Sequence, residues 1–212
     1  MSPRGVAIPD PRARLFDAAE RVLAREGPAA LTSRAITGEA GCAKGLLHAH
    51  FDGLDAFVAE LVLDRFARAA QRAEALPGRA GLDTVNDNLV LAAHALLSSL
   101  DPTVAGLALT RPDASLRIRR ALEGGAPGFA SIQDAITAYL AAEQRLGRLA
   151  GTTDTEAVAL ALVGTVHHLL MTTWTGAPDP REQAERLVAL LVGSAAVDTG
   201  TEGGAGADRV PR

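Results

Sequence analysis

The sequence predicts an all-α protein in which an N-terminal three-helix helix-turn-helix unit is joined to a larger helical bundle. Three observations carry that expectation. Between Gly and Pro breaks, apolar residues recur at helical spacing, and strand signals are absent. Residues 32–57 read as a capped short helix, a tight turn, a second short helix and the start of a long third one. The last two helical segments carry more apolar surface than a chain of 212 residues easily hides. The expected division is a helix-turn-helix unit over 1–53 with a flexible N-terminal arm, a helical body over 54–197 and a low-complexity, disordered tail over 198–212.

Residues 1–10, with Pro3, Gly5, Pro9 and Asp10, form the arm. From Pro11, the positions Leu15, Phe16, Ala19, Val22 and Leu23 mark an amphipathic helix that stops near Glu26, before Gly27 and Pro28. Its apolar stripe suits packing on Ile36, Leu47 and Phe51. Thr32 is an N-cap for a helix through Ala40, and Gly41 can end it in the left-handed conformation. A second helix is expected from Ala43 to Phe51, with Leu47 and Phe51 on one face. About eight residues give a rod of roughly 12 Å, matching the width of a DNA major groove. Residues 44–50 are therefore the expected recognition helix. After Asp52 and Gly53, a long helix over 54–76 carries Phe57, Leu61, Val62, Phe66, Ala69 and Ala70 on one stripe and ends at Pro77-Gly78. It is the natural lever between the two parts.

Further helices are expected at 83–100, 102–109, 112–123, 128–149, 154–174 and 180–197. The last two suggest a self-complementary homodimer interface through Val158, Leu162, Gly164, Val166, Leu169, Leu187, Val188 and Leu191. Gly164 would allow close helix approach at its centre. The larger or polar side chains Phe66, His94, Phe129, Tyr139, His167, Met171 and Trp174 are candidates for a pocket in the body, with core packing the competing role for each. Such a pocket would take a small, mainly apolar effector with one or two hydrogen-bonding groups.

Composition narrows the function. The formal net charge is −4, but residues 1–50 hold seven bases (Arg4, Arg12, Arg14, Arg21, Arg25, Arg34, Lys44) against five acids (Asp10, Asp17, Glu20, Glu26, Glu39). The positive part is the helix-turn-helix part, which favours contact with double-stranded DNA. No apolar run of about 18 residues suggests a membrane span, and Pro9 and Asp10 stand where a signal peptide would be apolar, so a cytoplasmic location without a membrane partner is expected. The lone Cys42 excludes an intrachain disulfide and a multi-cysteine metal site, and a packing role suits it. His48 and His50 point to different helix faces, as do His167 and His168, so neither pair is expected to hold a metal. The sequence has no phosphate loop, Gly-x-Ser-x-Gly, His-Glu-x-x-His or dinucleotide fingerprint. Neither an enzyme nor a cofactor is expected.

The order of a capped short helix, Ala40-Gly41, Lys44-Gly45, Leu47, His50-Phe51 and a long helix entered through Asp55-Ala56-Phe57 resembles the TetR family of bacterial transcriptional regulators over residues 12–60. The helical body with its apolar terminal pair is similar in layout. The resemblance implies a homodimer on a palindromic operator, with a C-terminal domain that binds a small molecule and releases the DNA, as a ligand-responsive repressor does. It places the DNA-binding residues at Thr32, Ser33, Arg34, Lys44, Gly45, Leu46, His48, Ala49 and His50. Of these, Lys44, Gly45, His48 and Ala49 would face bases and Leu46 a thymine methyl. The family often has Ser, Thr and Tyr where this chain has Ala43, Leu46 and His48, and Lys at the place of Leu54. Those departures should weaken backbone anchoring, leaving Arg34, Lys44, His48, His50 and the arm to supply it. They also keep open an alternative: a helical ligand-binding or protein-interaction module with weak or non-specific DNA binding.

Overall fold

The computed structural model describes residues 10–99, 101–172 and 176–195. The arm before Asp10, Thr173, Trp174 and the expected tail lie outside the described residues. Among the described residues the chain forms ten α-helices and two short 3-10 turns, with no strand.

Capping and punctuation set the first elements. Helix α1 (Pro11–Glu26) starts on Asp10, whose carboxylate accepts from the Ala13 N–H, and stops at Gly27 with φ 78°. It buries the expected stripe, Leu15, Phe16, Ala19, Val22 and Leu23, together with Ala18. Helix α2 (Ser33–Glu39) is capped by Thr32, whose Oγ1 accepts from Ala35 N–H at 3.1 Å. Gly41 (φ 61°) reverses the chain into the turn before α3 (Leu46–His50). Helix α4 (Gly53–Ala73) then runs from this head into the body.

The remaining helices are α5 (Val85–Ser99), α6 (Pro102–Thr110), α7 (Pro112–Glu123), α8 (Phe129–Arg145), α9 (Thr155–Met171) and α10 (Pro180–Ala195). Their differences from expectation have local causes. Pro77 converts the expected end of α4 into a separate 3-10 turn, Leu76–Arg79. Asp83 adopts φ 49° and Thr84 accepts from the Asp87 N–H, so α5 starts at Val85 and not at 83. Gly147 (φ 72°) closes α8 early: its N–H reaches Gln144 O and that of Arg148 reaches Glu143 O, a Schellman end.

Helices α4, α5, α8, α9 and α10 pack around one body, with α6 and α7 against α4. The core is continuous from Leu15 in the head to Val188 in α10. Phe16, Phe51 and Phe57 join the head to α4, with ring centroids 4.9 to 5.6 Å apart. A buried polar network stiffens the far end of the body. Asn88 Nδ2 donates to Leu82 O at 2.7 Å and Tyr139 Oη at 3.1 Å, while Glu143 accepts from Gly81 N–H at 3.2 Å. Burial, then the neighbouring Glu143 carboxylate, hold the Tyr139 hydroxyl above its ordinary pKa. Among the described residues, no helix is long and apolar enough to cross a membrane.

Candidate nucleic-acid interface

The α2–turn–α3 segment is anchored from beneath and open above. Ile36, Thr37, Ala40 and Leu47 are buried against α1 and α4. Thr37 Oγ1 donates to Ser33 O at 2.9 Å, and Cys42 N–H donates to Thr37 O at 3.0 Å, which fixes the turn from inside. Cys42 is half-buried and packs against the core. On the outer side, Thr32, Arg34, Lys44, Gly45, His48, Ala49 and His50 are exposed, while Ser33 and Leu46 are half-buried. All nine residues named from the sequence are thus at least partly exposed.

The second helix is shorter than expected. Residues 43–45 form a turn, with Leu46 N–H on Ala43 O at 2.9 Å, and Lys44 stands in that turn instead of on the helix. Ala43 has no side-chain oxygen for a cap and Gly45 disfavours helix, so α3 starts at Leu46. Its five residues measure about 7.5 Å, and the groove would be met by the turn and the helix together.

Charge on the head is unevenly compensated. Arg21 and Arg25 reach across from α1 to Glu39, at 2.7 and 3.1 Å. Hydrogen bonds from those two guanidinium groups hold the Glu39 carboxyl below its ordinary pKa. Arg14 Nε donates to Ala40 O at 2.8 Å, and Arg12 pairs with Glu60, donates to His50 O and lies 4.5 Å from the Phe51 ring centroid. Arg34 and Lys44, on the outer face, make no ion pair among the described residues. A Cβ added at Gly45 would meet nothing within 4 Å, so the backbone there is open to close approach.

Residues 15–61 match the family model of bacterial regulatory proteins, tetR family, a stretch that runs from α1 through the turn into α4. The chain is also 29% identical over 199 residues to the uncharacterized HTH-type transcriptional regulator YdgC of Bacillus subtilis (strain 168), covering 91% of this chain and 94% of that one.

Residues 15–61 belong to the tetR family of bacterial regulatory proteins.

With that segment and that relative, the chain is a helix-turn-helix transcriptional regulator and not an enzyme. Two solved structures share the fold over nearly the whole chain. A regulator assigned to the TetR family from Mesorhizobium loti MAFF303099 superposes with a TM-score of 0.68 at 17% identity, covering 88% of this chain and 97% of that one. The SmeT–triclosan complex gives 0.67 at 20% identity, covering 96% and 100%.

Within the helical body, the residues named for a pocket are dispersed. Phe66, Phe129 and His167 stack with centroids 5.0 Å apart. Tyr139 is in the core, His94 Nε2 lies 3.1 Å from Glu185 Oε1, and Met171 is half-buried at the end of α9. A cavity of about 260 Å³ opens elsewhere, among α4, α5 and α8, lined by Arg72, Ala73, Leu76, Asn88, Ala92 and Ile136 with their neighbours. Sequence reasoning missed it because alanines announce no site. Asn88, the hydrogen-bond partner of Tyr139, links it to the named set.

The residues named for the dimer interface lie mostly inward in the single chain. Leu162, Val166, Leu169 and Val188 are buried within the chain itself, and Val158, Leu187 and Leu191 are half-buried against its core. Gly164 alone of the eight is exposed. The outward faces carry Leu160 and Leu190 instead, 59% and 68% exposed, flanked by Gly164, Ala189 and Gly193. An all-round apolar helix does not reveal in sequence which side its own body covers.

Proposed function

We propose that the chain is an effector-responsive repressor that binds a palindromic operator as a homodimer. The observation that carries this reading is the outer face of the head. Among the described residues Arg34 and Lys44 have no acidic partner there, while Arg12, Arg21 and Arg25 are paired with Glu60 and Glu39 and Arg14 is held on Ala40 O. Phosphates would replace those missing partners and position the turn at Gly45 against the groove. Thr32, Ser33 and His50 lie beside the backbone-facing cations, with Gly45, Leu46, His48 and Ala49 placed to meet base edges.

The outward faces of α9 and α10 supply the dimer. Leu160 and Leu190, with small residues beside them, suit a two-fold helix pair. Two heads so joined would meet half-sites about 34 Å apart or somewhat more. Coupling to the body runs through α4. Arg65, buried, holds Glu20 of α1 at 2.6 and 2.7 Å and Asp17 at 3.3 Å, while Arg111 and Arg117 hold Asp55 and Asp52 at the other end of the helix. A molecule that shifts α4 therefore shifts the head. An effector need favour the DNA-free arrangement by only about 1–3 kcal/mol to weaken operator binding several-fold or more.

Selection of bound duplexes from a random library, at near-physiological salt, tests the proposal. A recovered palindrome supports it. No motif from a folded protein would favour the second reading, a helical interaction module with weak DNA binding, which the five-residue α3 and its uncapped start recommend. In the first case the selected duplex should outcompete random duplex by about a thousandfold or more.

A further inference from the structure

The cavity among α4, α5 and α8 carries a charge pattern that apolar packing does not require. Its walls are almost wholly apolar, from Ala73, Leu76, Ala92, Leu96 and Ile136, and Leu91, 54% exposed, stands at the rim. Two arginines border it, and they differ. Arg79 donates to Asn88 Oδ1 at 2.6 Å and pairs with Asp83. Arg72, in the last turn of α4, donates to the Ser99 hydroxyl, and among the described residues no carboxylate pairs with it. Arg72 also borders a neighbouring polar groove, whose acids are otherwise engaged: Asp17 and Glu20 with Arg65, Asp101 as the cap of α6. One guanidinium thus stands uncompensated where an apolar cavity meets a polar groove.

We propose that this cavity takes a small organic anion, its apolar body among the alanines of α4 and α5 and its charged head on Arg72. The volume sets the size: a cavity of about 150 Å³ accepts benzene, so 260 Å³ suits about ten heavy atoms. The fork of Arg72 matches a carboxylate or phosphate in two parallel hydrogen bonds. Arg72 follows Arg68 by one turn of α4, and Arg68 shares Asp64 with Arg65, which holds Glu20 of α1. The assignment rests on the effector-responsive reading only for its consequence on DNA, since binding to the free protein is separately measurable.

The test is calorimetric titration of the full chain with octanoate, 1-octanol and acetate. Octanoate is expected to bind at one site per chain, about tenfold or more tighter than 1-octanol, with acetate undetectable. Arg72→Gln should abolish that advantage while leaving 1-octanol unchanged, Arg72→Lys should retain part of it, and Ala92→Phe should block both. Circular dichroism checks each variant's fold, and Ala95→Leu replaces Ala92→Phe if the latter unfolds. Equal affinity for octanoate and 1-octanol, an Arg72→Gln variant with wild-type octanoate affinity, or no binding of either by the folded chain overturns the proposal. Octanoate bound without loss of the selected duplex leaves the site standing and removes its regulatory role. Failure to select any duplex strikes the DNA-binding proposal and leaves the titration intact.

Discussion

Lys44 shows how a single residue in the turn can be weighed. It is exposed, carries no acidic partner among the described residues and precedes α3. If it contacts phosphate, Lys44→Ala lowers affinity for all duplexes alike and reduces the slope of log affinity against log salt by about one, measurable by fluorescence anisotropy across a salt series. Loss confined to one base position would make it a reader instead. Glu39 offers a pH-dependent prediction. Its pKa is depressed in the folded state by Arg21 and Arg25, so the unfolded chain takes up its proton first as pH falls. The link between α1 and α2 is therefore in full force above the ordinary value of 4.5 and is lost as pH drops through the folded-state value. Urea midpoints of wild type and Glu39→Gln should differ by a constant amount above that pH and converge below it; a gap that persists in acid sinks the assignment. These exposed residues of the head were legible in the sequence because cap, turn and apolar spacing agreed. The cavity was not, because Ala73 and Ala92 look like any helix-forming alanines.

At the scale of the element, Pro and Gly made most helix bounds legible. Helix α7 runs where Pro112 and Gly124 put it. The failures lie where a backbone conformation overrides composition, as at Asp83 and at the uncapped start of α3. Helix α4 adds a feature that apolar spacing does not anticipate, the buried Arg65 on a stripe otherwise made of Phe, Leu, Val and Ala. It clasps α1 through Glu20 and Asp17, whose side chains keep 31% and 59% of their exposure. The cost of breaking it should lie between those of a surface pair and a buried pair. Arg65→Ala is expected to lower stability by about 2 kcal/mol in urea unfolding. A change below about 0.5 kcal/mol would show that the clasp contributes little.

For the whole molecule, most of the interface residues named from the sequence fall on the inward faces of α9 and α10. Leu162 and Val188 are core residues of one chain, so deleting α9 and α10 would unfold it before it tested any interface. Charge on the outward faces is the cleaner experiment. The double substitution Leu160→Arg and Leu190→Arg should yield a folded monomer in sedimentation with nearly unchanged helix content, because both side chains are exposed in the single chain. A dimer that survives would move the interface elsewhere.

The three rings that join head to body also govern how such regulators can be recombined. A hybrid cut at Gly53 would give Phe16 and Phe51 to one parent and Phe57 to the other, leaving each half to pack against a surface shaped for a different ring. Moving the junction past Leu61 keeps the cluster within one parent. The head is therefore portable only with the first part of α4 attached.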